Sequence, residues 1–285
     1  MTDVANKIPV DLIEAAVLHL DCEEADGPGP PTGWRAVSLL QQRADTVMLS
    51  AAIALSVSAE SVRRRVGAAI LGQLGHSHDN PDGVFREERY GALERLLLNE
   101  IETAADADVL EDTCVALGHL RDCRAIPIAL KLVLHSNAKV RFGVVMALTG
   151  YEDEAAIAGL IKLSSDDASD VRDWATFGLG QHIDVDSDQI RAALHARLVD
   201  INPDVRNEAI AGLARRKDNA VSSVLARELS VQVATPLFEA ARDLADPSLC
   251  AALLAAREIG QPWRSHEEKD WLKAMAACGC PLPDS

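Results

Sequence analysis

The stretch Ser169 to Gly180, SDVRDWATFGLG, decides the fold. At 100° per residue its Val171, Ala175, Gly178 and Leu179 fall on one face, the i, i+4, i+7, i+8 spacing of a buried helical stripe. Its skeleton, V-R-x-x-A-x-x-small-L-G/A, recurs along the chain. The anchor valines are Val109, Val140, Val171 and Val205, which open the helices DVLEDTCVALGHL, KVRFGVVMALTGY, DVRDWATFGLGQH and DVRNEAIAGLARR. A less regular copy, SAESVRRRVGAAILGQLG, precedes them with its register open by one residue. Each anchor helix is followed by a polar turn and a more aliphatic helix: AIPIALKLVL, EAAIAGLIKL, SDQIRAALHARLV and NAVSSVLAREL. Two helices per unit at a period of about 30 to 34 residues predict an α-solenoid, in which neighbouring units bury stripes that neither could bury alone.

Outside the array, residues 9 to 20 (PVDLIEAAVLHL), 34 to 42 and 46 to 56 each suit a helix, and a longer one is expected from Phe85 to about Ala104. Residues 21 to 33, DCEEADGPGPPTG, form an acidic Pro/Gly linker. Looser helices are expected over Val231 to Leu244 and Pro247 to Glu258. At the end, Ser265 with Glu268 fits a capping box and Gly279 a helix C-terminus. Trp271, Ala274, Met275 and Cys278 share one face suited to closing the last unit. The expected division is 1–45 for the N-terminal helices and linker, 46–258 for the array, and 259–285 for the capping helix and tail.

The chain resembles the HEAT-repeat superfamily, particularly the short bacterial type related to phycobilisome-lyase HEAT-like repeats. The resemblance rests on Asp-Val-Arg at 170–172 and 204–206, Lys-Val-Arg at 139–141, the Leu-Gly steps at 117–118 and 179–180, and the turn LRDCRAIP at 120–127. It covers roughly residues 46 to 258. It implies an all-α fold, a right-handed α-solenoid of about six to seven helix pairs with helical caps, in which the V-R helix lines the concave wall. Leu110 departs from the pattern where arginine is expected, so an Asp/Arg ladder between repeats would break there.

Composition narrows the function classes. A formal charge of −16 over 285 residues opposes phosphate binding, so no nucleic-acid partner is expected. No apolar run approaches 18 residues and the N-terminus has no basic-then-apolar leader, so no membrane span or signal peptide is expected. Six cysteines without a framework (Cys22, Cys114, Cys123, Cys250, Cys278, Cys280) suit reduced thiols and a cytoplasmic location.

Positions +2 and +6 from each anchor valine point away from the core face. The +2 column is Glu111, Phe142, Asp173, Asn207; the +6 column is Val115, Met146, Phe177, Ala211. Phe142, Met146 and Phe177, with Trp174 on the flank, therefore concentrate large apolar side chains off the core in a chain with only four Phe and four Trp. They either pack between repeats or form a partner-binding patch together with Asp173 and Asn207. Residues 152 to 188 hold ten acids against Lys162 and Arg172. Eight of them, Glu152, Asp153, Glu154, Asp166, Asp167, Asp184, Asp186 and Asp188, form an acidic rim that is either a set of helix caps and solvated turns or the border of a site for a basic protein.

Chemistry-bearing patterns are sparse. Asp184-x-Asp186-x-Asp188 lacks the glycine and distal glutamate of an EF-hand loop. His76-x-His78-Asp79 and Cys278-Gly279-Cys280 are incomplete metal sets, the latter better read as a frayed terminus. Arg63-Arg64-Arg65 and Arg215-Arg216-Lys217 are expected to pair with acids. Against the enzymes of the resembling family, only one His-Glu pair (His266-Glu267) is present where deoxyhypusine hydroxylases use several, and the acidity opposes a DNA glycosylase. The sequence thus points to a non-catalytic scaffold binding a basic protein on the concave face of its middle repeats, as an immunity or adaptor protein, with no cofactor or metal. A bilin lyase or another small enzyme on the same scaffold is the alternative.

Overall fold

The structure is a computed structural model describing residues 9–22, 33–103, 106–259 and 262–281. Most of the acidic Pro/Gly linker and the last four residues lie outside the described residues. The described residues are helical throughout, apart from turns and one isolated bridge at Ser77 and Asn80. The chain divides into two compact units, Met1–Leu148 and Thr149–Ser285.

The first unit contains α1 (Val10–His19), α2 (Gly33–Gln41), α3 (Thr46–Ser56), α4 (Ser61–Gln73), α5 (Arg86–Thr103), α6 (Ala107–Leu120), α7 (Ile126–Ala129) and α8 (Ala138–Leu148). The first two pack on each other and on α4. The expected helix AIPIALKLVL is broken into a short α7 between 3₁₀ turns at Cys123–Ala125 and Leu130–Leu132. The second unit contains α9 (Glu154–Leu163), α10 (Ser169–Gln181), α11 (Asp188–Arg197), α12 (Pro203–Arg215), α13 (Ser222–Leu229), α14 (Thr235–Leu244), α15 (Cys250–Ala256) and α16 (Ser265–Ala277). Residues 231–234 stay outside α14, which starts with Pro236 in its first turn, where the missing N–H costs nothing.

The anchor helices, continued by α14 and α16, stack directly on one another within each unit: α4, α6 and α8 in the first, α10, α12, α14 and α16 in the second. The anchor valines and the leucines eight residues later are almost wholly buried. The glycine at +9 explains the closeness of the stack. A Cβ on Gly118 would lie 2.4 Å from the Met146 carbonyl oxygen, and one on Gly180 would lie 3.0 Å from the Gly212 Cα. Gly72 meets Ala116 in the same way. Gly72 and Gly180 face the small +7 residue of the next helix, and Gly118 faces the carbonyl just before it, so the backbones themselves touch.

The arginine after the anchor ties each helix pair together. Arg141 donates to the carbonyls of His135 and Ser136, Arg172 to Asp166 and Asp167, and Arg206 to Asp200 and Ile201, all at 2.7–3.1 Å except the last at 3.2 Å. Arg64 makes the equivalent bonds to Ser58 and Ala59, which fixes the register of the first copy: Arg63, not Val62, stands at the anchor position. The ladder continues into the next helix pair through Arg64–Glu100, Arg172–Asp200 and Arg206–Glu228. Where the arginine is replaced, Leu110 is simply buried.

Short turns beginning with an aspartate cap the helices that follow. Asp122, Asp153, Asp218 and Asp246 each accept a backbone N–H of the next segment. The connection after α10 is longer. Seventeen residues separate Val171 from the start of α11, against 14 from Val140 to the start of α9 and 14 from Val205 to Asn219. The additional residues carry Asp184 and Asp186.

The C-terminal end is more ordered than a frayed tail. Gly279 at φ +68° closes α16, with Cys280 N–H bonded to the Met275 carbonyl and Gly279 N–H to that of Ala276. Trp271, Ala274, Met275 and Cys278 are buried as the wheel required. The capping box sits one residue earlier than expected: α16 starts at Ser265, so the Arg264 N–H, not that of Ser265, is bonded, and its acceptor is Glu267 rather than Glu268. Cys250 and Cys280 form a disulfide, which corrects the expectation that all six cysteines are free thiols; Cys22, Cys114, Cys123 and Cys278 are free.

Candidate protein-binding surface

In the second unit the off-core positions of α10 carry Asp173, Trp174 and Phe177. Phe177 sits edge-on to both the Trp174 ring, at 5.6 Å between centroids, and the His182 ring, at 4.8 Å. Trp174 is 41 % exposed, Phe177 is half-buried, and His182 is exposed at the helix end. The resulting aromatic patch spans about two turns of one helix.

Carboxylates border this patch. Asp173 is half-buried, with Oδ1 sealed from solvent and reached by no donor. Burial pushes its pKa up to about 6, and the negative charges of Asp204, Asp170 and Asp200 add to the effect. Glu208, on α12, is pushed up to about 7 by burial and by Asp173, Glu239 and Asp204, with only a hydrogen bond from Gln181 opposing. After burial, the largest influences on both carboxylates are other acids. The two carboxylates come from helices whose backbones meet at Gly180 and Gly212. Repulsion is thereby stored at the face of a tight helix contact.

Asn207 does not belong to the surface expected for it. It is 4 % exposed, and its amide exchanges hydrogen bonds with Gln232. Ala211 is buried too. The +2 and +6 columns therefore turn inward in α12, and the exposed side moves to +3. That column contains Trp174 and Glu208, so asking which residues share Trp174's position would have found Glu208 in the sequence.

In the first unit Glu111, Val115, Phe142 and Met146 are all half-buried. Burial and Asp112 push Glu111 up to about 7, but here Lys139 and Arg65 oppose the shift. Phe142 and Met146 present partial surfaces, less open than Trp174.

Much of the acidic rim is engaged within the protein. Asp153 caps α9, Asp166 accepts the Ala168 N–H, and Glu152 accepts the Asp184 N–H. Asp184 pairs with Arg215, and Asp186 makes two bonds to Arg191. These arginines lie beyond the acid-rich stretch, so counting charge within it overstated the free rim. Glu154, Asp167 and Asp188 are exposed. Asp184, Asp186 and Asp188 do not converge, and no metal-ligating cluster of three or more acids, histidines or cysteines occurs among the described residues. His76 bonds the Pro81 carbonyl, and Glu267 is spent on its capping box. In the basic triplets Arg63 meets Glu14, Arg65 meets Asp112 and Asp21, and Arg215 meets Asp184, as expected, whereas Arg216 gathers backbone carbonyls including Leu179, Ile183 and Val185, and Lys217 donates to that of Asp243. No helix among the described residues is long and apolar enough to cross a membrane.

A family model for HEAT repeats matches residues 94–180. Protein YibA of Escherichia coli strain K12 is 33 % identical over 224 residues, 75 % of this chain and 76 % of YibA. The chain belongs to the HEAT-repeat superfamily. YibA of Escherichia coli O157:H7 matches to the same extent. The X-ray structure of E. coli YibA aligns with this HEAT-repeat chain at a TM-score of 0.67, covering 96 % of this chain and 93 % of that one. At 24 % identity over that alignment, the structural likeness is one of fold.

Proposed function

We propose that this HEAT-repeat chain is a non-catalytic scaffold that binds a basic protein through the face of α10 and α12 bearing Trp174, Phe177, Asp173 and Glu208. The observation that carries the reading is an exposed tryptophan beside two half-buried carboxylates that burial and neighbouring acids push up. Exposed aromatic anchors supply contact area at an interface, and a cationic partner would relieve the repulsion that the free surface holds. The exposed acids Glu154, Asp167 and Asp188 would speed the encounter more than they would strengthen the complex. An immunity protein or adaptor for a basic target is the role this surface suits.

The test compares capture by the wild-type chain with capture by Trp174→Ala/Phe177→Ala in an extract of the source cells. The variant should keep its helical circular dichroism while losing at least tenfold in affinity for the captured basic protein. A variant that binds as well as wild type, or that unfolds because both rings are core, would reject this surface.

A further inference from the structure

Three cysteines meet where the array ends. Cys250, the first residue of α15, is bonded to Cys280, which lies just beyond α16, and Cys278 caps the end of that helix. Much besides the bond holds α16. It packs on α14 and α15, with Trp271 and Met275 buried. The Trp271 Nε1–H donates to the Leu253 carbonyl at 2.7 Å. The Arg257 guanidinium lies 5.1 Å from the centres of both the Trp263 and Trp271 rings and pairs with Glu268. Beyond α16 the packing thins: a Cβ on Gly279 would meet no atom within 4 Å. The covalent tie from this turn to α15 is the disulfide, whose Cys280 is 9 % exposed and whose Cys250 is more open.

An opened bond has a partner already in place. The Cys250 sulfur lies 3.8 Å from the Cys278 carbonyl oxygen, which can accept the S–H that reduction creates. The Cys278 thiol is turned to α14, where it donates to the Ala241 carbonyl at 3.4 Å. Burial pushes this thiol up, with the Asp246 charge adding and the Asp246 N–H opposing. Held protonated, it is a poor attacking group and does not compete for the Cys250–Cys280 pairing. Cys22 and Cys123, in contrast, are exposed free thiols. The chain therefore carries surface thiols that a reducing medium preserves beside a bond that an oxidising one preserves.

We propose that Cys250 and Cys280 are a thiol–disulfide exchange site for a small thiol of the glutathione class, and that their bond is a reversible latch. Oxidation ties the turn beyond α16 to α15; reduction frees that turn while α16 and the array stay folded. To open the latch, the thiolate of one small molecule attacks one sulfur of the bond. A mixed disulfide forms, and the other cysteine leaves as a thiolate that takes up a proton. A second small thiolate then attacks the small molecule's own sulfur in the mixed disulfide and displaces the remaining cysteine, which is protonated in turn. The two electrons that reduce the bond come from the two small thiols, which depart joined as their own disulfide. Closing runs the same steps in reverse.

The experiment alkylates the folded full chain before and after treatment with excess reduced glutathione, and reads each cysteine by peptide mass spectrometry. In the oxidised chain Cys22 and Cys123 should be labelled, and the Cys250 and Cys280 peptides recovered linked. After reduction Cys250 and Cys280 should be labelled as well, with the helical circular dichroism retained. Cys114 and Cys278 should stay at least roughly tenfold slower, because a local opening uncovers neither. Glutathione disulfide should then restore the linked pair through a glutathione adduct on Cys250 or Cys280. A bond that opens only in denaturant, or that does not re-form, overturns the latch. So does labelling of Cys278 as fast as Cys280, since reduction would then strip α16 away rather than release the turn beyond it. Cys278→Ser should open and close as wild type does; a folded Cys278→Ser chain that no longer exchanges would make Cys278 the attacking thiol and overturn the assignment.

Discussion

Substituting Gly118 by alanine tests the packing that gives the repeat its shape. In an ordinary helix interior the change stabilises by about 1 kcal/mol, since alanine is the better helix former. Here the added Cβ would stand 2.4 Å from the Met146 carbonyl oxygen and 2.9 Å from its carbon. That is about 0.9 Å short of the roughly 3.3 Å at which carbon and carbonyl oxygen normally meet. The obstacle is backbone, so no side-chain rotation removes it, and α6 must move away from α8. Overpacking of this kind costs up to about 3 kcal/mol, leaving a net loss near 2 kcal/mol after the gain in helix propensity. Gly91, in the interior of α5, supplies the contrast, because a Cβ there meets only the far end of the Arg95 side chain at 3.4 Å. Gly91→Ala should stabilise by about 1 kcal/mol. Both glycines lie in the first unit, so urea unfolding followed by circular dichroism compares them in one background: the Gly118→Ala midpoint should fall and the Gly91→Ala midpoint should rise, at unchanged slope. If Gly118→Ala is neutral or stabilising, the helices are not held at backbone contact and the small-residue explanation of the stack fails.

The ladder and the cap yield two further expectations. Arg172→Ala should cost about 3 kcal/mol at neutral pH, because it removes the two-bond partner of the buried Asp200 carboxylate and the donors to two turn carbonyls. Burial pulls the Asp200 pKa upward, but the hydrogen bonds from Arg172 and the Asn202 N–H, with the charges of Arg172 and Arg197, outweigh it and hold the carboxyl below its usual value. That stabilisation is present above about pH 4 and is lost as pH falls through the lower folded value, so unfolding curves of variant and wild type should draw together in acid. Cys250→Ser/Cys280→Ser should destabilise the second unit by roughly 3 to 4 kcal/mol relative to the oxidised protein, since the bond closes a loop across 30 positions. Adding a thiol reductant to wild type should reproduce the effect; an unchanged melting curve in both cases would mean the bond does not hold the cap.

The fold was legible in the sequence because the repeat states its packing rules several times. Anchor valine, ladder arginine and glycine recur, and the register left open in the first copy is fixed by the bonds of Arg64 to the Ser58 and Ala59 carbonyls. What was hidden depended on geometry between repeats. Asn207 occupies the same wheel position as Asp173, yet Gln232 from the following turn covers it. Glu208 stands out by nothing in its own helix, because its burial comes from neighbouring helices. The rim acids seemed unopposed because Arg191 and Arg215 reach them from later in the chain. The break in AIPIALKLVL and the pairing of Cys250 with Cys280 leave no periodic signal at all.

The most direct test of the partner surface is site-specific photocrosslinking in the source cells. A photoreactive phenylalanine derivative would replace Trp174, and separately Val199, which is 85 % exposed on the α11–α12 turn of the same unit. The expected result is one dominant adduct from position 174, identified by mass spectrometry as a basic protein and absent when Asp173 and Glu208 are also neutralised, with no such adduct from position 199. Equal crosslinking from both positions, or an adduct at 174 indifferent to those two carboxylates, would contradict the assignment of this face.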